Sequence, residues 1–411
     1  MAACMTGAVV SLRFAWVEHL LASNSRESVQ RALRVAPANA RAYERWVAFE
    51  PDQAVPLLRR AVALSPYLTA AWLELGLRAE LAGDRKEAEA LLLEAFRHDR
   101  MFLTRWTLAN FYFRCGDESS FWRWARAAAE YACCDLASLF DLCHRMSPDP
   151  LVVLDKAIPP RPSVLHDYLG YLLTTGRLDG APEAFTRLVA FRRPEDMALL
   201  LSVVERYIGS GKTTRAVAFW NQLAAAGLIS YSPLDPAKGR SLTNGSFAAK
   251  ALGLGFDWHR IWNPEAFISG NRIEFSGRQL DKTEVLWQPL PLGPGAAYTL
   301  QYRYRTSHIG ANTGLRWHLL DPRTRQPLTA PSSCLSSDFE TEQAWHFRVP
   351  NSVDLGHLTL LYTREPGTTR IAGSVEMLSL RLSLETAPRE PASESAIDAT
   401  PARVKKSEPT H

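Results

Sequence analysis

Along the first half of the chain apolar residues return at helical spacing, and along the second half they alternate with polar ones. Residues 24–232 are therefore expected to be helical and residues 233–386 to be built of strands. The change falls in "SYSPLDPAKGRSLTNG", where two prolines and two glycines break any helix. After Glu385 aromatic residues disappear while Pro, Ser and charge accumulate, so residues 387–411 read as a disordered tail.

The helical half repeats itself. "SPYLTAAWLELGLRAELAGDRKEAEALLLEAF" and "DRMFLTRWTLANFYFRCGDESSFWRWARAAA" set Trp72 and Trp106 34 residues apart, each six residues after a junction at Pro66 and Arg100. In the first unit Trp72, Leu75, Gly76 and Ala79, then Ala88, Leu92 and Ala95, place large and small residues where two antiparallel helices must interlock. These residues resemble the tetratricopeptide repeat (TPR). The resemblance implies an irregular α-solenoid of five or six helix pairs that binds a protein or peptide along a concave face, lined by the first helix of each pair. Carried over by position, that face falls on Leu73, Leu77 and Glu80 in one unit and on Thr107, Phe111 and Arg114 in the next. Glu80 and Arg114 would then set the register of a partner held over an apolar centre. Upstream, Pro37 to Pro66 is only 29 residues, so one helix must lose more than a turn, with "EPD" at 50–52 as the place. A second shortened unit is expected over 139–160.

Further on, "YLGYLLTTGRLDGAPEAFTRLVA" and "VVERYIGSGKTTRAVAFWNQLAA" align Gly176 with Gly211, Ala181 with Ala216, Phe185 with Trp220 and Leu188 with Leu223, always at an offset of 35. This alignment decides the reading of Gly211-Lys212-Thr213, which spells the end of a phosphate-binding loop. Such a loop needs another glycine five positions earlier and a buried strand before it. Arg206 occupies that position and the flanks are helical, so the tripeptide is read as a turn between two helices. A period of 35 also invites comparison with pentatricopeptide repeats, which read single-stranded RNA. With 47 basic and 43 acidic residues the formal charge is only +4, a poor match to phosphates, and no nucleic acid partner is expected.

In the second half "YTLQYRYRT" puts Tyr298, Leu300, Tyr302 and Tyr304 on one face and Thr299, Gln301, Arg303 and Arg305 on the other, the mark of a half-buried strand. With "GRSLTNGSF", "NRIEFSG", "EVLWQPLPL", "GLRWHLLD", "AWHFRVP", "LTLLYTR" and "VEMLSLRLSL" about eight strands are expected, which favours an antiparallel β-sandwich or jelly roll. The succession "LTNGSF", "GFDWHRIW", "RIEFSG", "LWQPLPLGPGAAYTLQYRYRT" and "RIAGSVEMLSLRL" resembles the galactose-binding-like jelly rolls, which include many carbohydrate-binding modules. That resemblance implies glycan binding.

Sugar recognition requires flat aromatic faces with fixed polar groups beside them. Trp258 and Trp262, in an irregular segment with His259, Arg260 and Asn263, are the expected glycan-binding residues. Trp287, Trp317 and Trp345, with Gln288 and Arg303, are weaker candidates, because Trp317 lies in register with Leu315 and Leu319 and Trp287 opens an apolar run. Asp257, Glu265, Glu274 and Asp281 lie close enough in sequence to be considered as a glycosidase pair, which makes a carbohydrate-active enzyme the alternative reading. No base, nucleophile or metal constellation is visible, so no catalytic residue, metal or cofactor is expected. Asn244-Gly245-Ser246 is read as a turn rather than a glycosylation site.

Six cysteines show no CxxC pair or Cys/His alternation at metal-ligand spacing, and only Cys133, Cys134 and Cys143 make a weak redox or metal candidate. The opening "AACMTGAVVSLRFAWVEHLLA" is apolar, but Arg13, Glu18 and His19 interrupt it short of the roughly 18–20 residues of a membrane span. Residues 1–23 are therefore either an ordinary first helix or the end of a membrane anchor that has lost its start, and membrane contact is expected only in the second case. High Ala, Leu and Arg content with few Lys points to a bacterial source. The whole is read as a non-catalytic interaction scaffold with a glycan-binding module, in polysaccharide assembly or at the cell envelope, the cytoplasm remaining open.

Overall fold

The structure is a computed structural model in which residues 2–131 and 135–385 are described. Cys133, Cys134 and the expected tail at 387–411 lie outside the described residues. The chain divides into two compact units, Met1–Tyr207 with Asn221–Ser230, and Ile208–Trp220 with Tyr231–His411.

The helical part runs α1 (Ala2–Ala22), α2 (Arg26–Val35), α3 (Ala40–Trp46), α4 (Ala54–Leu64), α5 (Thr69–Leu81), α6 (Arg85–His98), α7 (Phe102–Cys115), α8 (Glu118–Glu130), α9 (Ala137–Met146), α10 (Pro150–Lys156), α11 (Pro162–Thr175), α12 (Ala181–Val189), α13 (Met197–Gly209) and α14 (Thr213–Ala225). From α1 to α9 each helix packs on the next, as stacked helix pairs require. Local chemistry marks the ends. Asp84 and Asp117 cap α6 and α8 by accepting from the backbone N–H groups of Glu87 and Ser120, both at 3.0 Å. Gly116 and Gly176 close α7 and α11 in the left-handed region at φ 73°, where a side chain would be strained. Gly76 faces Leu92 so closely that a Cβ there would meet Leu92 Cδ2 at 2.6 Å, which is the large-to-small interlock read from the sequence.

The shortened units are present. α3 has 7 residues, and a 3-10 turn at Pro51–Gln53 replaces the lost helical turn. α10 also has 7 residues. Gly211 stands at φ 71° between two helices, with no strand before it, so the phosphate-loop spelling is a helix turn. The end of α1 belongs to the helical pack: Val17, Leu20 and Leu21 share a core with Val29, Ala32 and Ala42.

The strands are β1 (His259–Arg260), β2 (Ala266–Ser269), β3 (Arg272–Ser276), β4 (Lys282–Pro291), β5 (Ala297–Ser307), β6 (Leu315–Leu320), β7 (Thr341–Arg348), β8 (Leu355–Thr363) and β9 (Ala372–Leu384). They form two antiparallel sheets, of order β1-β4-β8-β6 and β2-β3-β9-β5-β7. The core between them takes Tyr298, Leu300, Tyr302 and Tyr304 from β5 and Leu315, Trp317 and Leu319 from β6. The expected strand at "GRSLTNGSF" does not form. Asn244 and Phe247 take left-handed φ values of 46° and 56°, and the buried Gln288 side chain donates to Thr243 O and Thr243 Oγ1 at 3.1 and 2.8 Å. The segment spends its polar groups on side chains and turns instead of a ladder. Asn244 bonds through its side chain to both the N–H and the carbonyl of Ala249, so the Asn-Gly pair is a turn.

Candidate functional site

The helical face expected to meet a partner is only partly presented. Leu73 and Phe111 are buried, because they point into the packing between helices. Leu77 is exposed and Thr107 is half-buried, its hydroxyl donating back to Leu103 O at 2.8 Å. Glu80 and Arg114 are bonded to each other, Nε to Oε1 at 2.6 Å and Nη2 to Oε2 at 2.7 Å. Their first role is thus to tie α5 to α7.

In the sandwich, Trp258 corrects the sequence reading. It is 1% exposed, donates from Nε1 to Asn244 O at 3.0 Å, and stacks on Phe247. The cavity beside it is about 10 Å³, room for a single water at most and far too small for a sugar ring. An irregular segment rich in turns has folded its tryptophan inward to close the core. His259 stacks on Trp287 at 3.9 Å, and His357 stacks on the same indole at 4.2 Å, so both faces of Trp287 are occupied. Trp317 and Trp345 are core, and Gln288 is buried. Arg260 donates to Gly270 O at 3.0 Å, Asn263 accepts from the N–H of Glu265 at 2.9 Å, and Arg303 pairs with Glu340. Trp262 alone among the expected platforms is open, at 86% exposed.

The four carboxylates considered as a hydrolytic pair are each engaged by a partner of their own. Asp257 is buried and accepts from Tyr231 at 2.7 Å, an arrangement that, with burial as the larger cause, raises the Tyr231 pKa. Glu265 accepts from Ser276, and Glu274 pairs with Arg272 at 3.0 Å. Asp281 binds Arg370 and Arg364 at 2.8 and 3.2 Å, and the hydrogen bond from Arg370 leads in lowering its pKa. The carboxyls held above their usual range by burial, Glu44 and Asp167, lie on α3 and α11.

A polar depression of about 440 Å³ lies instead on the outer face of the five-stranded sheet, lined by Arg272, Arg305, Thr306, Ser307, His308, Asp338, Ser374 and Glu376. Strand register builds it. Phe267, Glu274, Ser374 and Ser307 stand in one cross-strand row, and Ser269, Arg272, Glu376 and Arg305 in the next. Phe267 is 61% exposed at the edge of the first row, about 14 Å from Ser307 across three strand spacings. At the far end His308 adopts a left-handed φ of 59°, with its Nδ1 3.0 Å from Ser307 Oγ. Arg305 binds Glu376 at 2.6 Å, and each arginine keeps further N–H donors for a ligand. Sequence reading placed Arg305 on the polar face of β5 but gave no sign of Arg272, Ser374 and Glu376, which only pairing brings beside it.

No protein-family model matches the chain, and no curated protein sequence does. Among solved structures it is similar to a CBM4 structure at 11% identity and a TM-score of 0.28, covering 35% of this chain and 100% of that one. It is similar to YrrB, a TPR protein with an unusual peptide-binding site, at 13% identity and a TM-score of 0.24 over 48% of this chain and 91% of that one. It is similar also to PilW, a type IV pilus biogenesis factor, at 15% identity and 0.25 over 54% and 92%. Likenesses at these scores carry no argument about function. The stacked helix pairs and the two antiparallel sheets stand on the chain's own geometry.

Proposed function

We propose that the protein is a non-catalytic scaffold that holds a protein partner on its helix pairs and a glycan on the outer face of its five-stranded sheet. The observation that carries the glycan half is the pair of cross-strand rows. An exposed phenyl at Phe267 stands in the same cross-strand row as Ser374, about 10 Å from it across two strand spacings, beside a depression whose lining offers hydroxyls, two carboxylates and two guanidiniums. That combination suits a sugar, whose ring has apolar C–H faces and a rim of hydroxyls. Trp262, fully presented, is a second stacking surface on the same domain. Tests of a protein partner begin at Leu77, the open apolar residue of the expected face.

The test is a glycan-array measurement on the full chain, with Phe267→Ala and Arg272→Ala beside it. Binding that both variants lose, while their unfolding temperatures stay at the wild-type value, supports the reading. An array that stays silent, or variants that bind like the parent, removes the glycan from the proposal and leaves the helical scaffold.

A further inference from the structure

The polar depression on the five-stranded sheet is electrically balanced, whereas the end of the sheet beyond it is not. In the depression Arg272 pairs with Glu274 at 3.0 Å and Arg305 with Glu376 at 2.6 Å, and Asp338 adds a further carboxylate. An anion gains little there. The last ladder pair of β3 and β9 is Ser276 with Ala372, and past it run two loops, 277–281 before β4 and 364–371 after β8. These loops carry Arg278, Arg364 and Arg370, and Lys282 opens β4. All four cations are exposed.

The two loops are fixed to each other. The Gln279 side chain, 1% exposed, donates to Ile371 O at 2.8 Å and accepts from the Gly277 N–H at 3.0 Å. The Arg364 N–H donates to Asp281 O at 2.7 Å, and the Asp281 carboxylate holds Arg370 and Arg364 at 2.8 and 3.2 Å. One carboxylate thus serves two guanidiniums. Arg278 and Lys282 make no side-chain hydrogen bond or ion pair among the described residues. Glu265, bonded to the Ser276 hydroxyl, is a second carboxylate at this edge, and Glu365 is spent on Arg316. The corner therefore keeps an excess of positive charge, on loops that need no reordering to present it. Ser374 in the depression and Arg370 are four residues apart, so no more than about 14 Å separates them.

We infer that the glycan held on this face is an acidic one, whose rings lie in the depression beside Phe267 and whose carboxylate or sulfate groups meet Arg278, Lys282, Arg364 and Arg370. The inference rests on glycan binding by the sheet and adds the charge class of the ligand.

The test is a glycan array read as matched pairs, each uronate-containing or sulfated glycan beside its carboxyl-reduced or desulfated counterpart. It compares the full chain with the double variant Arg278→Gln, Lys282→Gln and with Phe267→Ala. At low salt the parent is expected to prefer the acidic member of a pair by about tenfold, and the double variant to lose that preference while still binding the neutral member. Phe267→Ala should weaken both members alike. Uronate pairs and sulfate pairs, read separately, tell which anion is bound. Both substituted cations are exposed, so the unfolding temperature should not change. Should the double variant unfold, Lys282→Gln alone, expected to lose about threefold of the preference, decides the question. Equal binding of the two members, or a variant that keeps the preference, overturns the inference and leaves the glycan reading standing. An array silent for both members overturns the two together. Acidic binding that Phe267→Ala leaves untouched is attraction of any polyanion to the corner, and it overturns the inference as well.

Discussion

Arg114 grips the carboxylate of Glu80 with two nitrogens, at 2.6 and 2.7 Å, across 34 residues of sequence and one step of the helical repeat. The same step separates Trp72 from Trp106, so the ion pair links equivalent positions of successive units.

Because Arg114 is almost half exposed, the pair is expected to contribute only about 0.5–1 kcal/mol. A double-mutant cycle with Glu80→Gln and Arg114→Gln measures it, and added salt should shrink the coupling. Coupling above that range would mean that the pair is better shielded than its exposure implies.

Gly76→Ala is expected to destabilise the chain by about 1–2 kcal/mol, although alanine is the better helix former by about 1 kcal/mol. The new methyl would meet Leu92 Cδ2 and Cγ at 2.6 and 2.7 Å, and Leu92 is fully buried. Thermal unfolding decides the sign, and a stabilised variant would show that α5 and α6 can part without loss.

Two tryptophans four residues apart should behave oppositely. Trp258→Ala removes a core indole and its bond to Asn244 O, at an expected cost of about 3–5 kcal/mol. Trp262→Ala, at an exposed site, should stay within about 0.5 kcal/mol of the parent. Urea unfolding of both variants provides the comparison.

Acid should weaken the sandwich through His357. Burial first, then Arg325 and His259, press its pKa from 6.5 down to about 3, against a smaller opposing pull from Asp321. The folded state holds the neutral ring, so its contribution is complete above pH 6.5 and is lost as pH falls towards 3, where the unfolded chain binds the extra proton. By about pH 5 the loss should reach about 1–2 kcal/mol. His318, pressed to about 4 by burial and then Arg316, acts in the same direction. Unfolding curves at pH 7 and 5 should converge in His357→Gln relative to the parent, and an undiminished pH slope would remove His357 as the source.

The helical half was legible because its information is local. A period of 34 or 35 and a glycine at the Gly176 and Gly211 turns are short-range facts, and the structure places both glycines in left-handed turns between helices. The alternation in β5 likewise told which side of that strand is core. What remained open was whether any one aromatic side chain outside a regular element points in or out. Trp258 and Trp262 have the same local composition, yet one is sealed by Asn244 and Phe247 and the other is bare.

The sequence by itself therefore determined the two periods, the helix turns and the inward face of the strands, since each depends on neighbours within a few residues. Tertiary structure alone decided the sandwich surface. Arg272, Arg305, Ser374 and Glu376 lie on three strands up to 104 residues apart in the chain, and only the pairing of β3 and β5 with β9 sets them in adjoining rows. It decided the partner of Glu80 as well, because packing α5 against the following helix pair brings Arg114 within reach before any ligand arrives.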